Sequence, residues 1–208
     1  MAYRRSLPLE RWHGERRTAI DVLAQAHADL GEVDGRRGRP LEIGRPIAHS
    51  YLRRVVAEFQ GFVRDLHDLG ADRLVEMSQP DVRFQSLLVA ASTEGRHIDR
   101  GNADLRSLRH DFRRLALADL GARLDANNGY WSGGAGRRGD KAYYGDLIEL
   151  RNALAHGNQG QVDALRRRGI LDTVTWGRSR LAGLDRFARA LDRAVWDHLR
   201  ETFGTEPW

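Results

Sequence analysis

The sequence contains no cysteine. That absence excludes a disulfide framework, thiolate metal sites and a cysteine nucleophile, and it points to a reducing compartment. Only five prolines interrupt 208 residues. No apolar run approaches the roughly 18 residues of a membrane-spanning helix. Lysine is almost missing: of 34 basic residues only Lys141 is one. The N-terminal MAYRRSLPLERW carries positive charge with no apolar stretch behind it, so it does not read as a signal peptide, and the expected location is cytoplasmic with no membrane partner.

What is present is ordinary for a folded chain, with 41% hydrophobic and 30% charged residues. At roughly 150 residues per domain, the length predicts a single domain over 1–208. Within it, 1–46 reads as an N-terminal helix and a basic Gly/Pro loop, and 47–204 as a helical core. The net charge is +5. Arginine supplies nearly all the positive charge, which suits phosphate contact but also suits a GC-rich coding sequence.

Hydrophobic spacing is helical almost throughout. A first helix is predicted over about Leu9–Leu30, ended by Gly31, with Trp12, Ala19, Ile20, Leu23 and Ala26 on one side. Gly31–Pro46 reads as an exposed loop. Ile47, Tyr51, Val55, Phe59, Phe62, Leu66 and Leu69 recur at steps of three and four, a broad amphipathic stripe that Gly70 ends or breaks, with a short turn on to Met77. Asp81 after Pro80 opens a helix carried by Phe84, Leu87, Leu88 and Ala91. Glu94–Asn102 reads as a loop, and Leu105, Leu108, Phe112 and Leu115 as a further helical face.

The stretch 126–140 is the most loop-like, and Asp140 is a plausible N-cap for a helix running to about His156. Tyr143 or Tyr144, Leu147, Leu150 and Leu154 are its apolar positions, and Gly157 stands where a left-handed cap belongs. A short basic helix follows over Val162–Arg168. The last helix is striped by Leu181, Leu184, Phe187, Leu191, Val195, Leu199 and Phe203. Ile170–Trp176 reads either as its beginning or as an extended piece. The pattern predicts an all-α bundle of five or six helices with two long antiparallel partners.

Arg151, Asn152 and His156, in ELRNALAHGN, stand out. Asn152 and His156 are i and i+4 and share a helix face. Arg151 points to the side, within reach of the same space. His156 falls in the last turn, where the helix dipole favours a cation, and a histidine can exchange protons near neutral pH. About one arginine-to-histidine pair at this spacing is expected by chance in so arginine-rich a chain. Arg193 and His198 are such a pair, with Ala194 in the asparagine place and mid-helix, and read as a decoy. Requiring asparagine next to the arginine lowers the chance expectation to ~0.03.

ELRNALAHGN resembles the Arg–polar–x–x–x–His motif of the HEPN superfamily. FQGFVRDLHDL and the last helix are similar, more loosely, to its RiboL-PSP-type branch. The resemblance spans roughly residues 47–200. It implies a HEPN-like helical bundle and a metal-independent endoribonuclease. The RNA 2′-hydroxyl attacks the adjacent phosphate, leaving 2′,3′-cyclic phosphate and 5′-hydroxyl ends. His156 moves the proton, Arg151 holds the phosphate and Asn152 orients His156 or a phosphate oxygen. It further implies a homodimer with a composite site, a toxin, antiviral-defence or stress setting, and an antitoxin or other regulatory partner. One branch is nucleotidylated on a tyrosine two residues after the histidine, and here Asn158 stands there. The alternative within the resemblance is an inactive HEPN module that binds a partner protein or a nucleotide.

Weaker signals remain. Tyr130, Trp131, Arg137 and Arg138 pair aromatics with cations just before the motif helix, as base-stacking and phosphate contacts do, although a connector with a buried anchor has the same composition. Arg166, Arg167 and Arg168 extend an RNA track or simply solvate a helix end. Arg64, Asp65, His67 and Asp68 read mainly as a solvated face, with support of the cleft as the other reading. No histidine spacing matches a metal motif, and GGAGRRGDK lacks the spacing of a nucleotide phosphate loop, so neither a catalytic metal nor a cofactor is expected.

Overall fold

The computed structural model describes residues 2–33, 41–101, 103–134 and 137–208. The chain is predominantly helical. Ser6 caps α1 (Leu7–Arg11) by accepting the Leu9 N–H, and Pro8 sits in its first turn, where a missing donor costs little. A π-helical turn, Trp12–Arg16, leads into α2 (Arg17–Val33). Helix α3 (Leu41–Ser78) is the longest element. Helix α4 (Val82–Thr93) is capped by Asp81, α5 (His97–Arg100) is a single turn, and α6 (Leu105–Phe112) is capped by Asp104. Helix α7 (Leu120–Asn127) precedes a two-residue hairpin, β1 (Gly133–Gly134) and β2 (Arg137–Arg138), with Gly133 opposite Arg138. Helices α8 (Asp140–Ala155), α9 (Gln159–Arg167) and α10 (Val174–Phe203) complete the chain.

Helices α3 and α10 form the axis of the core. The predicted stripes of both are buried, from Tyr51, Val55, Phe59 and Phe62 on α3 to Leu184, Phe187 and Leu191 on α10. They cross through aromatic contacts. Phe59 lies 5.0 Å from Phe187, which in turn meets Trp131 at 4.5 Å and Tyr144 at 5.0 Å between ring centroids. Trp12 packs edge-on against Phe59 at 5.4 Å, and its indole N–H donates to Asp185 at 2.9 Å. A buried apolar ring with a satisfied polar edge anchors the N-terminal helices to both long ones.

Several expectations are corrected. The two long helices run parallel, not antiparallel. Gly177 lies against Tyr51 and Leu52, Phe187 against Phe59, and Val195 against Gly70, so both helices ascend together. Gly70 does not end α3. An added Cβ there would stand 2.8 Å from Leu115 and 3.4 Å from Val195, so its glycine serves close packing rather than chain reversal. Helix α3 also begins at Leu41 and carries Pro46 inside it, where a loop was expected; residues 34–40 of that loop lie outside the described residues. The apolar face beginning at Ala48 and Tyr51 outweighs the one helical hydrogen bond that Pro46 removes.

The helical segments outnumber the expected five or six because short pieces fill the connections. The presumed loop 94–102 contains α5, although Asn102 itself lies outside the described residues. Asp140 is the first residue of α8, with Gly139 in the cap position. Its carboxylate instead accepts from Arg186 at 2.7 and 2.8 Å and from Asn128 at 3.0 Å. Thr173 caps α10, which resolves Ile170–Trp176 as the approach to a helix. Helix α4 leaves its apolar side outward, with Phe84 52%, Leu87 63% and Leu88 40% exposed. No helix among the described residues is long and apolar enough to cross a membrane.

Candidate active site

Residues Arg151, Asn152 and His156 sit in the last two turns of α8, and the local sequence explains why the helix stops there. His156 occupies the C-cap position and Gly157 follows with φ +63°. The Asn158 N–H then donates to the Ala153 carbonyl at 2.9 Å, closing a Schellman-type turn that glycine at this place favours. Asn158 next caps α9, its side chain accepting the Gln161 N–H at 3.0 Å. The position after the motif is thus used for structure. Arg53, on α3, donates to the carbonyl of Leu154, supplying a partner and a positive charge to the end of α8.

The motif side chains face open space. Arg151 donates to the Asn152 side-chain oxygen at 3.2 Å, and His156 is exposed. Together with Asp99, Arg100 and Gly101 they line a cleft of about 540 Å³. A second groove continues from Asn152 along Gly145, Ile148 and Glu149 of α8, walled on its far side by Leu105 and Arg106 of α6. Arg100 and Arg106 are exposed cations beside these two hollows, and sequence inspection gave no sign of either.

The far wall of the cleft is held by a polar network. Gln60 of α3 donates to the carbonyls of Ile98 at 2.6 Å and Gly101 at 2.8 Å. Arg64 donates to Asp99 at 2.8 Å, and Arg96 donates to the other Asp99 oxygen at 3.0 Å. Burial raises the Asp99 carboxyl, but the two guanidinium groups outweigh it and hold the group below the ordinary carboxylate range. Arg96 also donates to His67 Nδ1 at 3.0 Å, while His67 Nε2 donates to the Asp111 carbonyl at 3.0 Å. Burial, and then Arg96, push the His67 imidazole down, so it is neutral, with its proton on Nε2. Asp111, fully buried, accepts the N–H groups of His97 at 3.0 Å and Ile98 at 2.8 Å. His67 is therefore not on a solvated face, while Arg64 and Asp68, 40% and 45% exposed, reach from it to fasten the cleft wall. Asp65 turns elsewhere, to Arg16 at 2.8 Å.

The other sequence candidates separate. Trp131 is corrected: it is 2% exposed and belongs to the core against Phe187, so it offers no stacking surface. Its neighbour Tyr130 is 63% exposed, with the Arg186 guanidinium 4.8 Å from its ring. Arg138 pairs with the buried Asp146 at 2.9 Å, and the Arg137 side chain lies outside what the structure describes. Arg166 is bound to Asp172 at 2.6 and 2.7 Å and to Asp163 at 3.0 Å, while Arg167 is exposed at the end of α9. The decoy pair is structural: Arg193 donates to Asp197 at 2.7 Å, and His198 Nε2 donates to the Leu115 carbonyl at 2.9 Å. Among the described residues one group has metal-ligand proximity, namely His97, His110 and Asp111, whose histidines are not joined by any motif spacing.

No family model, curated protein or solved structure matches this chain.

Proposed function

We propose that this chain is a metal-independent endoribonuclease of the HEPN type. The observation that carries the reading is the open cleft at the end of α8, where an exposed histidine, an arginine and an asparagine share one hollow with Arg100 opposite. The structural histidines His67 and His198, within α3 and α10, are tied to backbone carbonyls. The exposure of His156 instead supports a role toward a ligand.

In the proposed reaction His156 takes the proton of the ribose 2′-hydroxyl, whose oxygen attacks the adjacent phosphorus. The bond to the 5′-oxygen breaks, that oxygen gains a proton, and a 2′,3′-cyclic phosphate remains. Arg151 holds the non-bridging oxygens as charge builds on them. Asn152, which accepts from Arg151, positions that guanidinium. Removal of protons and delivery of protons are best served by two imidazoles, so a homodimer that brings a second His156 to the cleft fits this chemistry. DNA, without the 2′-hydroxyl, is not a substrate. A toxin or defence setting with a regulatory partner accompanies this proposal through the HEPN resemblance. The exposed apolar face of α4 favours the alternative, an interaction module, to the extent that it offers a partner a surface.

The test is incubation of purified protein with total RNA in EDTA, parent beside His156→Ala. Cleavage that survives chelation, leaves cyclic phosphate ends and falls at least ~100-fold in the variant is the expected result. Intact RNA in both lanes, or equal cleavage in both, refutes the assignment and leaves the interaction module.

A further inference from the structure

Helix α5 carries the cleft wall on Asp99 and Arg100, and its first residue belongs to a second arrangement. The imidazole of His97 lies parallel to that of His110 on α6, with centroids 4.0 Å and planes 7° apart. Both rings are exposed, and the fully buried carboxylate of Asp111 sits beside them, with Oδ1 3.2 Å from His110 Nδ1. One donor atom from each of the three residues lies within 4.8 Å of the other two.

Two ligands bound ~2.1 Å from a tetrahedral ion stand ~3.4 Å apart. The His110–Asp111 pair already has close to that spacing. The His97 ring closes the remainder, at most about 1.4 Å, by side-chain rotation in solvent. An imidazole ligates through a nitrogen lone pair in its own plane, so the His97 ring turns out of the parallel stack as it closes this gap. The carboxylate is held ready, because its hydrogen bonds from the His97 and Ile98 N–H groups fix its orientation and leave lone pairs over.

We propose that His97, His110 and Asp111 form a binding site for a divalent transition metal of the zinc class, with water in the remaining positions. Two imidazole nitrogens and one carboxylate suit such an ion and do not suit magnesium or calcium, which take oxygen donors. None of the three residues lines the cleft. The ion clamps the first turn of α5 to α6 and so steadies Asp99 and Arg100 from behind. It takes no part in the chemistry proposed for His156.

The test uses the full chain, stripped with chelator and exchanged into chelator-free buffer, then titrated with CoCl₂ and afterwards with ZnCl₂. The expected result is uptake of one equivalent of Co²⁺ with visible ligand-field bands, which Zn²⁺ displaces. His97→Ala and His110→Ala each weaken uptake at least ~10-fold, the lower end of what even an outer-shell partner contributes to a metal site. Both rings are exposed, so the variants keep the parent far-ultraviolet circular dichroism; the glutamine variants replace them if either does not. Absence of bands at saturating Co²⁺ overturns the proposal and leaves an ordinary His110–Asp111 hydrogen bond. Undiminished uptake in the double variant overturns it also, by putting the ion elsewhere. No RNA enters the assay, so its failure and that of the ribonuclease reading are distinguishable.

Discussion

Arg96→Ala tests whether the cleft wall is held as described. The Arg96 side chain is only 6% exposed and donates to His67 Nδ1, to Asp68 at 2.5 Å and to Asp99. Without the guanidinium, the buried Nδ1 acceptor loses its donor, a loss of about 1–3 kcal/mol. Asp68 and Asp99 are 45% and 34% exposed, so water replaces their partner and each pair contributes well under ~1 kcal/mol. The sum is ~1–4 kcal/mol, and at ~2–4 °C per kcal/mol for a chain of this size the melting temperature falls by ~2–16 °C. A circular dichroism melt, at a pH well above the ~6.5 of free histidine, measures it. His67→Phe removes the stranded acceptor, so Arg96→Ala made on that background is milder, with a coupling of at least ~0.5 kcal/mol. A melting temperature within ~1 °C of the parent, or strict additivity of the two substitutions, refutes the reasoning.

The same network sets a pH dependence. Burial lowers the folded His67 affinity for a proton below that of the unfolded chain. The stability it contributes is therefore complete above about pH 6.5 and declines below it, by up to ~1.4 kcal/mol per pH unit, until the folded group itself titrates. Urea unfolding of the parent and His67→Phe between about pH 7 and pH 5 reads this out, and an identical slope in both would sink the idea. Trp131→Ala removes a buried indole and is expected to destabilise by ~3–5 kcal/mol, whereas Tyr130→Ala changes stability by less than ~1 kcal/mol; equal effects in denaturant titration would return Trp131 to the surface. Gly177→Ala places a Cβ 2.8 Å from both Leu52 and Tyr51. Overpacking of ~1–3 kcal/mol exceeds the ~1 kcal/mol gained in helix propensity, so net destabilisation is expected. A net gain in stability would count against the parallel crossing of α3 and α10.

The helices themselves were legible because periodicity is local. The stripes Tyr51–Leu66 and Leu181–Leu199 are buried as spaced, and Gly157 caps α8 as its place predicts. Direction was not legible. A stripe shows which face is buried, and it is silent on whether the partner helix ascends or descends. Gly70 shows a further limit. A glycine inside a helical pattern reads as a stop, and only the Leu115 and Val195 side chains around it reveal that it admits close packing. Trp131 left two readings open for a related reason, since a tryptophan among glycines and arginines has the composition of a nucleic-acid loop whether it points outward or, as here, into the core.

The candidate site divides along the same line. Arg151, Asn152 and His156 were legible because one helix turn brings them together. The opposite wall was not, because its residues come from α3, α5 and α6 and meet only in the folded chain. His67 is the clearest instance. On α3 it belongs to the polar side of an amphipathic stripe, which by itself reads as solvent-facing. It is buried because Arg96 and the Asp111 carbonyl satisfy both ring nitrogens, and a buried polar group needs such partners. Those partners lie 29 and 44 residues away. The pairing of His97 with His110 has the same origin: a turn of helix and a buried carboxylate, not a spacing, bring the two rings together. Polar residues that hold or enlarge a site across elements leave no period in the sequence. In this protein those residues decide where Asp99 and Arg100 stand relative to His156.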